Sequence, residues 1–278
     1  VLNLWEYVPD LVNAVSGFLH QELYSTNELF RISTTKLVGD IMRLKNPGLN
    51  FVTTCPEVYK AWLAKIADSS PKVRISWVKT LPGILNSKSF YIDDQFCSNI
   101  CQGLSKTLID TDFKVRYVSI MSIKDIYTET MWLYFKSSVI FNELLHLARE
   151  KIKDIREAAI TFVCEFYYNS KIKQYHLLTP NEKLSEFFLK IPSTIMNLYY
   201  INDKSINSLV DILFLEKILP YEEEDDEKRV DGVLELVSTL DAKAKQSFFA
   251  FNKRQVELHS VVYKFMDMAE GLNRIDNT

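Results

Sequence analysis

The side chains that could do chemistry are few and badly spaced for it. The four histidines, His20, His146, His176 and His259, form no HExxH pair, and none stands beside a Cys/Asp cluster at metal-ligand spacing. The four cysteines are Cys55, Cys97, Cys101 and Cys164. Cys97 and Cys101 are four apart, too wide for a CxxC clip, and no second pair stands nearby, so all four read as structural thiols of a reducing compartment. No serine sits in a GxSxG elbow. The two closest glycines, Gly39 and Gly48, are nine residues apart, which excludes both GxGxxG and GxxxxGK[ST] loops. The expectation is no catalytic residue, no metal site and no cofactor.

What remains suits binding. Glu222–Glu227 is a run of six acids after Pro220, read as a solvated loop that also places negative charge at the next helix start, or as a dock for a basic segment. Phe166, Tyr167 and Tyr168 read as core. Leu198-Tyr199-Tyr200-Ile201-Asn202-Asp203 carries two adjacent tyrosines, which on a helix point about 100° apart, so both cannot face one core line. Ser247-Phe-Phe-Ala-Phe-Asn-Lys-Arg-Gln255 sets three phenylalanines beside a polar and basic turn. Such a helix buries one side and presents Asn252, Lys253 and Arg254 on the other, as a peptide-binding ridge or simply a soluble face.

The elements that position these residues follow from a repeat. Ala67–Leu81, Ile109–Ile123 and Arg149–Val163 align on Arg74, Arg116 and Arg156, spaced 42 and 40 residues apart, which is the HEAT period. In each, an apolar residue precedes the Arg (Val73, Val115, Ile155) and others follow at plus four and plus seven, making one helical stripe. A second helical stretch precedes each: 56–67, 95–109 and 141–149. Asp68, Asp110 and Asp112 fall at the corners, where a carboxylate accepts from exposed amides at a helix start. Asp68, Arg74, Asp110, Arg116 and Arg156 are expected to form a structural ladder between adjacent repeats. A helix pair cannot cover its own apolar face but stacked neighbours can, so the expected fold is all-α, a HEAT-repeat superhelical solenoid of stacked antiparallel helix pairs.

Organisation follows the same rhythm. Residues 1–169 read as regular HEAT repeats, opening with helices at 4–22 and 26–44. Residues 170–180 read as a mobile or shortened loop. Residues 181–278 read as divergent HEAT-like helices at 181–201, bent at Pro192, and at 204–219, 225–240 and 241–270. The 278-residue chain has only 7 Gly and 8 Pro, against about 19 and 14 at average usage, as short helix connections require. With 33 Lys+Arg and 36 Asp+Glu no uniform positive field exists, so direct DNA binding by this segment is not expected. No apolar run approaches the roughly 18 residues of a membrane span. The chain starts at Val1 in what reads as mid-helix, so it is expected to be an excerpt of something longer.

Several segments together resemble one family. The three Val/Ile-Arg repeats, Lys151–Tyr167 (KIKDIREAAITFVCEFY), Ile191–Asp203 (IPSTIMNLYYIND) and Leu240–Gln255 (LDAKAKQSFFAFNKRQ) are similar in order and spacing to the central HEAT region of the cohesin regulator family named for precocious dissociation of sisters, in its fungal form. The non-repetitive LYYIND and FFAFNKRQ segments carry the resemblance. It implies a nuclear, chromatin-associated, non-enzymatic scaffold that binds the kleisin subunit of cohesin and regulates sister chromatid cohesion. It also implies work with the wings-apart-like releasing factor through the full-length protein. The kleisin segment is then expected near Tyr199, Tyr200, Asn202, Asp203, Asn252, Lys253 and Arg254. The alternative from the repeats alone is a general HEAT adaptor for another peptide partner, of transport or phosphatase-scaffold type.

Overall fold

The computed structural model describes residues 7, 9–44, 51–87, 94–135, 139–179, 181–201, 203–219, 223 and 225–275. The helices are α1 (Pro9–Leu23), α2 (Glu28–Arg43), α3 (Phe51–Thr54), α4 (Pro56–Leu63), α5 (Pro71–Leu85), α6 (Asp94–Leu108), α7 (Phe113–Lys124), α8 (Thr128–Tyr134), α9 (Val139–Leu147), α10 (Lys153–Ile172), α11 (Tyr175–Leu178), α12 (Glu182–Asn197), α13 (Lys204–Leu213), α14 (Asp226–Thr239) and α15 (Ala242–Ile275). Three short turns extend them: 3₁₀ turns at Ala64–Ala67 and Leu198–Ile201, and a π turn at Phe214–Ile218. Among the described residues there is no strand. The chain divides into two compact parts, Val1–Phe188 and Leu189–Thr278.

In the first part the second helices of successive pairs, α2, α5, α7 and α10, pack side by side. Their apolar stripes make the core: Val73, Val78 and Leu81 on α5, Val115, Ile120 and Ile123 on α7, and Ile155, Ile160 and Val163 on α10 are all fully buried. The approach of α2 to α5 is close enough that a β-carbon at Gly39 would overlap Thr80, so glycine is required there for packing. Trp62 on α4 is also fully buried. Its ring lies 5.3 Å from that of Trp77, and its indole N–H donates to the Thr35 carbonyl on α2 at 3.1 Å.

The corners show how each repeat is tied to the next. The Arg74 guanidinium donates twice to the Asp110 carboxylate, at 2.7 and 2.8 Å, and also to the Asp68 carbonyl of its own corner at 2.7 Å. Asp110 in turn accepts from the Asp112 amide, and Asp112 caps α7 through the Lys114 amide. Arg116 repeats the arrangement, bonding the Asp110 carbonyl and reaching Glu150 at 3.5 Å. Arg156 donates to the Glu150 carbonyl at 2.9 Å. One rung begins earlier than the sequence repeat, because Arg31 on α2 donates to both oxygens of Asp68 at 2.9 and 3.0 Å.

Much of the stretch 170–179 is helical. Ser170 to Ile172 complete α10, and buried Ser170 accepts from the Trp132 indole at 2.8 Å. After Gln174, whose φ of 52° reverses the chain, α11 follows. His176 stacks on Phe188 with ring centres 4.6 Å apart, and Asn181 donates to the Trp132 and Phe135 carbonyls. Side chains able to bond distant backbone hold this polar segment where composition suggested mobility. Helix α12 runs through Pro192.

The four cysteines are all buried and none forms a disulfide. Burial pushes the Cys101 thiol up to about 12, and Cys164 is raised further in the same direction. Neither is activated as a nucleophile or ligand. The break at 45–50 lies outside the described residues, as do Glu222 and Glu224 of the acidic run.

Candidate functional site

Tyr199, Asp203, Asn252, Lys253 and Arg254 all lie in the second compact part, Leu189–Thr278. Asp203 is the N-cap of α13. Helix α15 supplies Phe248 and Phe251, both buried, against Phe214. Tyr199, half-buried in the 3₁₀ turn, sets its ring edge-on to Phe251 at 6.2 Å. One helical turn beyond Phe251, the Arg254 guanidinium reaches Asp211 of α13 at 3.2 Å. Asp211 is 8% exposed, and burial raises its carboxyl while Arg254 pulls it back.

This seam is short of hydrogen bonds. The Asn197 Oδ1, Tyr199 hydroxyl, Asn207 Oδ1, Asp211 Oδ1 and Gln255 Nε2 atoms are buried and have no hydrogen-bond partner among the described residues. Each such atom costs about 1–3 kcal/mol. Asn207 and Asp211 are one helical turn apart on α13, so their oxygens share a face. Gln255 also lines an open groove of about 510 Å³ with Val256, Leu258, His259 and Val262.

Comparison with known proteins gives the family of the chain. The profile of the family described as sister chromatid cohesion protein PDS5 matches residues 1–278. The chain belongs to the PDS5 family. It is 42% identical over 273 residues to the sister chromatid cohesion protein PDS5 of Saccharomyces cerevisiae, covering 98% of this chain and 21% of that protein. It is 24% identical over 278 residues to the corresponding Schizosaccharomyces pombe protein, covering 98% of this chain and 22% of the relative. The chain thus spans about a fifth of the length of these curated relatives. A solved chain from the structure of the Pds5-Scc1 complex superposes with a TM-score of 0.86 at 42% identity, over 96% of this chain and 39% of that one. The all-α HEAT-repeat fold of the PDS5 family is therefore the fold of this chain.

Within this PDS5-family chain the singled-out residues divide by what they touch. Tyr199 and Arg254 belong to the polar seam. Lys253 and Asn252 are exposed beside it, the Asn252 amide donating to the Phe248 carbonyl at 3.0 Å. Asp203 is a helix cap: its Oδ1 accepts from the Ser205 amide, the Ser205 hydroxyl and the Ile206 amide at 2.8, 2.8 and 3.2 Å. Asp203→Ala is accordingly expected to cost about 1 kcal/mol of stability, measured by denaturant midpoint, with partner affinity unchanged within twofold. Asn202 and the Tyr200 side chain lie outside what the structure describes.

The sequence reading did not single out Asp211, Asn207 or Gln255. Their signal was present in Leu209-Val-Asp-Ile-Leu213, where a lone carboxylate interrupts an apolar run. A buried acid of that kind needs a cation, and Arg254 supplies it. Among the described residues no group of three or more His, Cys, Asp or Glu could hold a metal ion.

Proposed function

We propose that this chain is a non-enzymatic scaffold segment that grips the kleisin subunit of cohesin and so regulates sister chromatid cohesion, in the nucleus and on chromatin. The observation that carries the reading is that the chain is 42% identical to one solved in the Pds5-Scc1 complex, with half-buried Tyr199 and Arg254 and exposed Lys253 together in its second compact part. Lys253 adds a point charge at the rim, where charge governs approach and register. The aromatic anchor is Tyr199, and tyrosine and arginine are the residue types that dominate such interfaces. Any contact with the wings-apart-like releasing factor is assigned to the full-length protein.

The test is binding of a labelled kleisin peptide to the wild-type chain and to Tyr199→Ala, Lys253→Glu and Arg254→Glu variants. Tyr199→Ala and Arg254→Glu are expected to weaken binding by about tenfold or more, and Lys253→Glu by less, mainly through association rate. No saturable binding by the wild type, or unchanged affinity in both seam variants with unfolding midpoints intact, would overturn the assignment.

A further inference from the structure

The outward ridge of α2, α5 and α7 carries a pattern that neither the core nor the ladder uses. Relative to the ladder arginines Arg31, Arg74 and Arg116, three positions recur on one side of these helices: two before, one after and five after. These fall within about 60° of helix circumference. The middle row is Ile32 and Ile75, partly covered, and Tyr117, exposed. The rows on either side carry lysine, with Lys72 and Lys114 along one edge and Lys36 and Lys79 along the other.

The charge here is segregated. The chain as a whole has a formal charge of −3, yet α5 and α7 contain no Asp or Glu, and each carries three basic residues. The ladder consumes Arg74 and Arg116, while Lys124 pairs with Glu165 at 2.9 Å and Lys72 with Glu28 at 3.3 Å. Lys36, Lys79 and Lys114 make no ion pair among the described residues; the Lys114 ammonium lies 5.9 Å from the centre of the exposed Phe113 ring. On α10 the equivalents of the first two rows are Asp154 and Glu157, so the basic track ends at α7. Asp40 and Asp125, beyond the last row, are the other nearby acids.

We propose that this track docks an extended acidic peptide segment with an apolar residue at every third position. The spacing supports that occupant. Packed helices stand 8–10 Å apart, and a polyproline-II chain advances about 9 Å in the three residues that return a side chain to the same face. One apolar side chain in three then meets Ile32, Ile75 and Tyr117 in turn. The carboxylates between them point to the lysine rows, which on α5 stand about 10 Å apart along the axis. The ridge lies wholly in Val1–Phe188 and is independent of the seam around Arg254.

The probe is a labelled peptide of Leu-Glu-Glu triplets, titrated by fluorescence polarisation against the full 278-residue chain, beside a Leu-Gln-Gln control and a short DNA duplex. Saturable binding of the acidic peptide is expected, weakened about tenfold or more in a Lys36→Glu/Lys79→Glu double variant. A Lys36→Gln/Lys79→Gln variant should give a smaller loss, and Lys60→Glu, on α4, none, all with wild-type unfolding midpoints. The proposal fails if the acidic peptide does not bind, if the Leu-Gln-Gln peptide or the duplex binds equally well or better, or if the double variant binds as the wild type does.

Discussion

Asp68→Asn is expected to lower the unfolding free energy by about 3–5 kcal/mol, the cost of breaking a buried ion pair from one side. The Asp68 side chain is 5% exposed and faces two cations that are themselves covered, Arg31 at 2.9 Å and Lys65 at 3.5 Å. It also accepts from the Ser70 amide at 2.9 Å, at the entry to α5. An amide there leaves both cations uncompensated and turns a donor toward one of them. Lys65 already has its ammonium pushed down by burial, with Asp68 opposing that effect. The measurement is the denaturant midpoint, together with a thermal midpoint expected to fall by roughly 10 °C. An Arg31→Met/Asp68→Asn double variant should recover part of the loss, because the stranded guanidinium is gone.

The pH dependence checks the same contact. Burial alone would raise the Asp68 carboxyl, but hydrogen bonds from Arg31 and the Ser70 amide outweigh it and hold the group below its ordinary value of 3.8. A carboxyl lower in the folded than in the unfolded chain stabilises fully above its unfolded value, and that stability is lost as pH falls through the folded value. The wild-type advantage over Asp68→Asn should therefore be constant above about pH 5 and shrink below pH 4. An advantage that does not shrink on acidification would show that the carboxylate charge is not what stabilises the corner.

Trp62→Ala is the second large effect, expected to cost about 3–5 kcal/mol through the cavity it leaves. Its indole N–H donates to the Thr35 carbonyl of the preceding repeat, so truncation also removes a buried hydrogen bond. Trp77 is equally buried, but its Nε1 has no partner. Phenylalanine should therefore be tolerated better at 77 than at 62. The comparison of Trp77→Phe with Trp62→Phe by urea midpoint isolates the hydrogen bond. Equal losses at both positions would mean that ring volume alone counts.

Much of the architecture was legible because the residues that hold it recur. Val73, Arg74 and Leu81 return as Val115, Arg116 and Ile123, since each repeat must offer the same stripe to the next. The first rung was missed although Arg31-Ile32-Ser33 repeats Arg74-Ile75-Ser76. Six residues before Arg31 stands Ser25, where later repeats have an acid, so the Asp-to-Arg pattern has no left half there. The acid that Arg31 needs is Asp68, one repeat on. Short helices escaped notice for another reason: α8 and α11 are too brief for a 3.6-residue period to show.

The candidate site was legible only in part. Tyr199 and Arg254 could be picked out by type, but Asp211 and Gln255 become informative only when folding brings α13 beside α15. Asp203, expected beside the kleisin segment, caps α13 through two amides that follow it in the chain.

The ladder also has a direction in time. Arg31, Arg74 and Arg116 each precede their carboxylate, Arg31 by 37 residues and Arg74 by 36. At translation speeds of about 5–20 residues per second, each new helix pair spends several seconds with an unanswered guanidinium at its leading edge. It is answered only when the next corner leaves the ribosome. Growth from the amino end thus always exposes a cation, never a bare acid, to whatever chaperone waits at the tunnel exit.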